Sequence, residues 1–246
     1  MGDLFKTCTP FDGTDSKNVS NVMEAIIGNF EDIIQYNKDN RAFEGAVTAN
    51  ITITKLCQIM TSPEKKSPVE KLAQVNSFML EATGQQCLDY SYDKMIEEMQ
   101  NTNWKSMAGV GGRQWTYQTC TEFGWYQSSN QPSNPFTNLF GVEFFEKQCQ
   151  DIYGPKFDLT LLQRGTERSN YLYGAKDIQV TNVVFVHGSF DPWHALGLTE
   201  DNGINKAILI PGTAHCANMY PASPEDPPQL KQARQTVGAL ISKWLA

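Results

Sequence analysis

Two short apolar runs, residues 183–186 and 207–210, constrain the fold of this chain more than any other feature. Val183-Val184-Phe185-Val186 and Ala207-Ile208-Leu209-Ile210 are apolar without alternation, the pattern of a parallel strand buried on both faces. Each run stops in a loop that carries ionisable side chains. The first loop reads His187-Gly188-Ser189-Phe190-Asp191-Pro192-Trp193-His194 and the second Gly212-Thr213-Ala214-His215-Cys216. A helix follows, with Asp226 as the expected N-cap, prolines just inside it, and a stripe of Leu230, Ala233, Val237, Leu240, Ile241, Trp244 and Leu245. Strand, loop, strand, loop, helix is the closing part of an α/β sheet.

The first third of the chain has a different period. Val19, Val22, Met23, Ile26, Phe30, Ile33 and Ile34 recur at helical spacing and predict one amphipathic helix. Leu56 and Met60 predict a short second helix that stops before Pro63. Ser67-Pro68-Val69-Glu70 combines an N-cap, a proline at the first helical position and a capping-box acid, so a third helix starts there. Tyr92, Met95, Ile96 and Met99 predict a fourth. Beyond Gly109, Gly111 and Gly112 the residues 114–120 alternate with aromatics and predict a strand, giving about three strands in all. Phe144, Phe145 and Cys149 are placed on a helix before Gly154-Pro155. The expected organisation is a helical domain over 1–85 and an α/β part over 86–246.

Composition narrows the function. A net charge of −7 gives no basic excess to displace phosphate counterions, which argues against a nucleic-acid partner. No run approaches 18 consecutive apolar residues, so no membrane span is expected. The N-terminus has neither the basic nor the apolar region of a signal peptide. Six cysteines show no C-x-x-C pair and no zinc spacing, leaving buried thiols or disulfides. Asn18-Val19-Ser20 and Asn50-Ile51-Thr52 are glycosylation sequons. An interior of extracytoplasmic character behind a leaderless N-terminus reads as a chain that begins inside a longer one.

The three histidines confine imidazole chemistry to His187, His194 and His215. Catalytic groups of open α/β sheets gather at the carboxyl ends of strands. Asp191 on one strand-end loop and His215 on the next match the last two members of a hydrolase triad, whose chain order is Ser, acid, His. The carboxylate orients the imidazole and stabilises the imidazolium, and the imidazole takes the serine proton. A metal site built from His187, Asp191 and His194 is the rival, since two imidazoles and a carboxylate can hold iron. It lacks further ligands, and Pro192 disfavours the helix that would align them, so no metal or other cofactor is expected. Ser189 lacks the G-x-S-x-G turn of a nucleophile, and no such motif occurs in the 246 residues.

Val184-Phe185-Val186-His187-Gly188-Ser189-Phe190-Asp191-Pro192-Trp193 and Leu209-Ile210-Pro211-Gly212-Thr213-Ala214-His215-Cys216 together resemble the prolyl-specific serine peptidases. Trp115-Thr116-Tyr117-Gln118-Thr119-Cys120-Thr121-Glu122 resembles that family's strand just before its acid-bearing half. The resemblance implies the C-terminal part of an α/β-hydrolase sheet preceded by a helical cap, with Asp191 as acid and His215 as base. It implies disulfides Cys120–Cys149 and Cys8–Cys87 and a partner for Cys57 upstream of residue 1, and it leaves Cys216 unassigned. Trp193 and Glu122 are candidates for substrate contact.

By the same resemblance the substrate is a peptide with proline near the cleaved end, in a secreted, lysosomal or vesicular compartment. The family's nucleophile lobe is missing from the chain, so the half alone is expected to be inactive. It would need a complementary lobe or a second copy as partner. An esterase or lipase, and a non-catalytic binding or regulatory protein, are the alternatives.

Overall fold

The computed structural model describes residues 1–38, 51–64, 67–136, 138–203 and 205–246. In chain order the helices are α1 (Gly2–Phe5), α2 (Ser16–Gln35), α3 (Ile53–Met60), α4 (Pro68–Thr83), α5 (Tyr92–Gln100), α6 (Gly112–Gln118), α7 (Val142–Tyr153), α8 (Leu159–Tyr173) and α9 (Pro228–Leu245). Strands β1 (Val184–Gly188) and β2 (Lys206–Ile210) lie between α8 and α9. The described chain is mostly helical, with a single two-stranded parallel sheet.

Side-chain caps start several of these helices. Thr52 accepts from Lys55 N, and Ser91 accepts from Lys94 N. At α4 the capping box is complete: Ser67 Oγ accepts from Glu70 N, and Glu70 Oε2 accepts from Ser67 N. Each cap satisfies a backbone N–H that the helix itself leaves open.

The described chain divides into two compact units, Met1–Ile27 with Cys87–Ala175 and Gly28–Gln86 with Lys176–Ala246. In the first unit Cys8 is bonded to Cys87, and backbone hydrogen bonds from Cys8 to Leu88 and from Leu88 to Lys6 flank the bridge. Tyr92 and Ile96 of α5 pack with Ile152 of α7. A second bridge, Cys120–Cys149, ties the turn after α6 to α7. Against that turn lies α8, so close that a Cβ on Gly165 would stand 2.1 Å from the Thr121 carbonyl oxygen. In the second unit Ile33, Leu56, Ile59, Val75 and Met79 form one core. Ile210, Ala217, Leu230 and Ala233, with Val186 and Ile208 against them, form another between the sheet and α9.

Several expectations are corrected. Residues 114–120 are not a strand: α6 continues into a π-helical turn, Thr119–Phe123. Alternation signals a strand only when alternate residues share a buried face. Here Trp115 and Tyr117 are both exposed, while the neighbours Thr119 and Cys120 are both buried. The sheet among the described residues therefore has two strands rather than three. Those strands are only half-buried, with Lys206 and Leu209 exposed, whereas the unbroken apolar runs predicted full burial. The N-cap of α9 is Pro227, because the Asp226 carboxylate instead accepts from Ser223 N. Of the α9 stripe, Leu230 and Ala233 are buried, but Ile241 and Leu245 are exposed. No pattern announced α8, whose only buried positions are Leu162 and Gly165.

Candidate active site

β1 and β2 are parallel with Gly188 opposite Ile210, so both strands deliver their loops at the same end of the sheet. The two loops are laced together. Ser189 N donates to Ile210 O (3.1 Å), Phe190 N to Thr213 O (2.9 Å), and Gly212 N to Ser189 Oγ (2.8 Å). This proximity needs a glycine at 188. A Cβ there would lie 2.4 Å from Ala214 O and 2.5 Å from Thr213 O. Ser189 is thus a structural tie between the loops.

Asp191 is 4% exposed and caps the short 3₁₀ helix Pro192–Leu196, its Oδ1 accepting from Trp193 N at 3.0 Å. Its other oxygen, Oδ2, accepts from His215 Nδ1 at 2.8 Å. The structure therefore joins the two residues that stand on consecutive strand-end loops. With Nδ1 committed to the carboxylate, Nε2 is the nitrogen left for chemistry. The imidazole is further placed by its own backbone N–H, which donates to Gln35 O at 2.9 Å, and by the Tyr36 ring, edge-on at 5.7 Å. Its affinity for a proton is high. The hydrogen bond to Asp191, then one with the Cys216 thiol, raises the His215 pKa from 6.5 to about 10.

Trp193 also belongs to this group. Its Nε1 donates to Gln35 Oε1 at 2.9 Å, and its ring lies 6.4 Å from that of His215. Gln35 thus holds both loops, one through its carbonyl and one through its side chain. No motif marks Gln35 or Tyr36 in the sequence, and the last turn of the first long apolar stripe was the only hint that they matter. Cys216 is an exposed free thiol in the left-handed region, with φ of 56°. Cys57 is also free and exposed.

The other histidines serve elsewhere. His194 Nδ1 donates to Asp191 O at 2.6 Å. His187 packs its ring where a Cβ of residue 197 would sit, and its buried Nε2 has no partner among the described residues. Burial pushes this imidazole below its ordinary pKa, against the pull of the Asp191 charge. Among the described residues no three His, Cys, Asp or Glu side chains are grouped to hold a metal ion. No helix among them is long and apolar enough to cross a membrane.

Glu122 lies in the other compact unit, where it lines a cavity with Arg113 and Tyr117. Of the sequons, Asn18 has its side chain engaged in the first unit, accepting from Tyr92 N and donating to Asp15 Oδ2. Asn50 lies outside the described residues.

A carboxylate–imidazole pair thus stands at the ends of consecutive parallel strands. The serine carboxypeptidase S28 family profile matches residues 2–237. The chain belongs to the serine carboxypeptidase S28 family. This S28 chain is 32% identical to the thymus-specific serine protease of Mus musculus over 208 residues, covering 82% of the chain and 40% of that relative. It is 32% identical to a putative serine protease of Caenorhabditis elegans over 240 residues, 94% of the chain and 46% of the relative. With the lysosomal Pro-X carboxypeptidase of Bos taurus it shares 24% identity over 149 residues, 59% of the chain and 28% of the relative. The S28 chain thus spans about half the length, or less, of these curated relatives.

Proposed function

We propose that this chain carries the acid and base of a serine-type exopeptidase. Asp191 holds His215 in one tautomer and stabilises its protonated form. His215 takes the proton of a serine hydroxyl through Nε2 and returns it to the leaving amine. The observation that carries this reading is the 2.8 Å contact between Asp191 Oδ2 and His215 Nδ1 at the carboxyl ends of paired parallel strands. Family membership supports the reaction class.

The finer reading extends this. Residues 1–85 act as a helical cap and 86–246 as the acid- and base-bearing part of an α/β-hydrolase domain. Trp193 and Glu122 contact substrate, a peptide with proline near the cleaved end. The relative named a Pro-X carboxypeptidase supports that substrate class. It also supports a secreted, lysosomal or vesicular setting. Because the 246 residues contain no G-x-S-x-G, the nucleophile comes from a complementary lobe or another chain, and these residues alone form no acyl-enzyme.

The test is direct. The chain is expressed and offered a proline-amide reporter and a matched ester, beside an Asp191→Asn control. No turnover above the control is expected until a serine-bearing lobe is supplied, after which the amide is cleaved. Fluorophosphonate-sensitive, Asp191-dependent turnover by the chain alone would overturn the need for an external nucleophile. Cleavage restricted to the ester after complementation would overturn the peptidase assignment.

A further inference from the structure

The unit formed by Met1–Ile27 and Cys87–Ala175 carries an open cavity of about 770 Å³, lined in part by Arg113, Tyr117, Gln118, Glu122, Tyr153 and Phe157. Four of these come from one helical run. Positions 113, 117, 118 and 122 recur at intervals of roughly one turn along α6 and the π-helical turn that continues it, so they share a face. The alternation of residues 114–120 predicts a strand, and the common exposure of this helical face to one cavity is legible only in the folded unit.

The cavity joins an aromatic wall to an unpaired charge. Tyr117, Tyr153 and Phe157 have ring centroids 5.2 to 5.8 Å apart. The wall already holds one cation, since the Arg113 guanidinium stands 4.7 Å from the Tyr153 ring centroid. That guanidinium also donates to the Met99 carbonyl. Glu122 differs. Its carboxylate makes no hydrogen bond or ion pair with any described residue, and neither does the Gln118 carboxamide. Arg113 precedes Glu122 by nine positions, roughly 13 Å along a helix at 1.5 Å per residue, too far to neutralise it.

A ligand seated here must satisfy that carboxylate. An anion would be repelled by it, and a neutral apolar molecule would desolvate it without compensation. An organic cation gains both the charge-assisted hydrogen bond and the attraction of the ring faces. We propose that this cavity binds a ligand bearing a primary ammonium group on an apolar body, the ammonium on Glu122 and the body against Tyr117, Tyr153 and Phe157. In a peptide the ammonium comes from a free amino terminus or a lysine side chain. The assignment builds on the substrate role proposed for Glu122, but it is read by binding, so the two can fail separately.

Calorimetry on the full chain uses three probes: glycyl-phenylalaninamide, its N-acetyl derivative, and Nα-acetyl-lysyl-phenylalaninamide. At least one ammonium-bearing probe is expected to bind about tenfold or more tightly than the neutral derivative. The better of the two identifies the source of the ammonium. Glu122→Gln should abolish that preference while leaving the thermal unfolding curve unchanged, and rising salt should weaken the preferred probe in the native chain. Equal affinity for neutral and cationic probes, or a preference that survives Glu122→Gln, would overturn the proposal. Ammonium-dependent binding without turnover upholds it even if the peptidase reading fails.

Discussion

At the scale of single residues, the Asp191–His215 pair makes the sharpest predictions. His215 binds its proton more tightly in the folded chain, because the Asp191 carboxylate and then the Cys216 thiol favour the imidazolium. The stabilisation this provides is complete below the ordinary pKa of 6.5 and is lost as the pH rises through about 10. The melting temperature should therefore fall across that alkaline window. In Asp191→Asn the pH dependence from this source should flatten, and the His215 ring resonances should titrate near the ordinary value. Cys216→Ala should shift the titration in the same direction by less, since the carboxylate is the larger cause. Gly188 is the second sensitive position. A methyl group there meets two carbonyl oxygens of the His215 loop, so Gly188→Ala should cost about 1–3 kcal/mol in urea unfolding. It should also lower the His215 pKa by spreading the pair.

Elements respond to different forces. The start of α4 depends on the Ser67–Glu70 capping box, and Ser67→Ala should lower stability by about 1 kcal/mol, measured by thermal unfolding. The turn that follows α6 depends on cross-linking. Replacing both Cys120 and Cys149 by serine should cost about 2–4 kcal/mol and should loosen this turn selectively, which hydrogen exchange of residues 119–123 would report. Much of the secondary structure was legible because its causes are local. The stripe of α2, the cap of α4 and the apolar runs of β1 and β2 each lie within a few consecutive residues. The run 114–123 was not legible. Its helix is held by a disulfide to α7 and by the close approach of Gly165 to Thr121, contacts dozens of residues away.

For the whole molecule, the consequence lies in what stays uncovered. In the second unit Leu209 of β2 and Ile241 and Leu245 of α9 are exposed, and each strand of the two-stranded sheet has one edge unpaired among the described residues. Exposed apolar side chains and open strand edges favour association. The isolated chain should show a concentration-dependent sedimentation coefficient. Leu209→Glu should reduce that dependence without altering the His215 titration, because Leu209 is exposed and is not among the side chains packed between the sheet and α9. A sample that remains monomeric at all concentrations would count against the proposed need for a complementary lobe.

By itself, the sequence determined the helical first third, the two parallel strands and the pairing of an acid with a histidine on their loops. Periodicity, caps and chain order act over short distances, so residue identity alone carries them. The folded structure decided what depends on distant partners. It turned residues 112–123 into a helix, gathered Gln35 and Tyr36 around His215, and left Glu122 unpaired beside three aromatic rings. Those outcomes follow from packing between segments far apart in the chain, where alternation and motif have no reach.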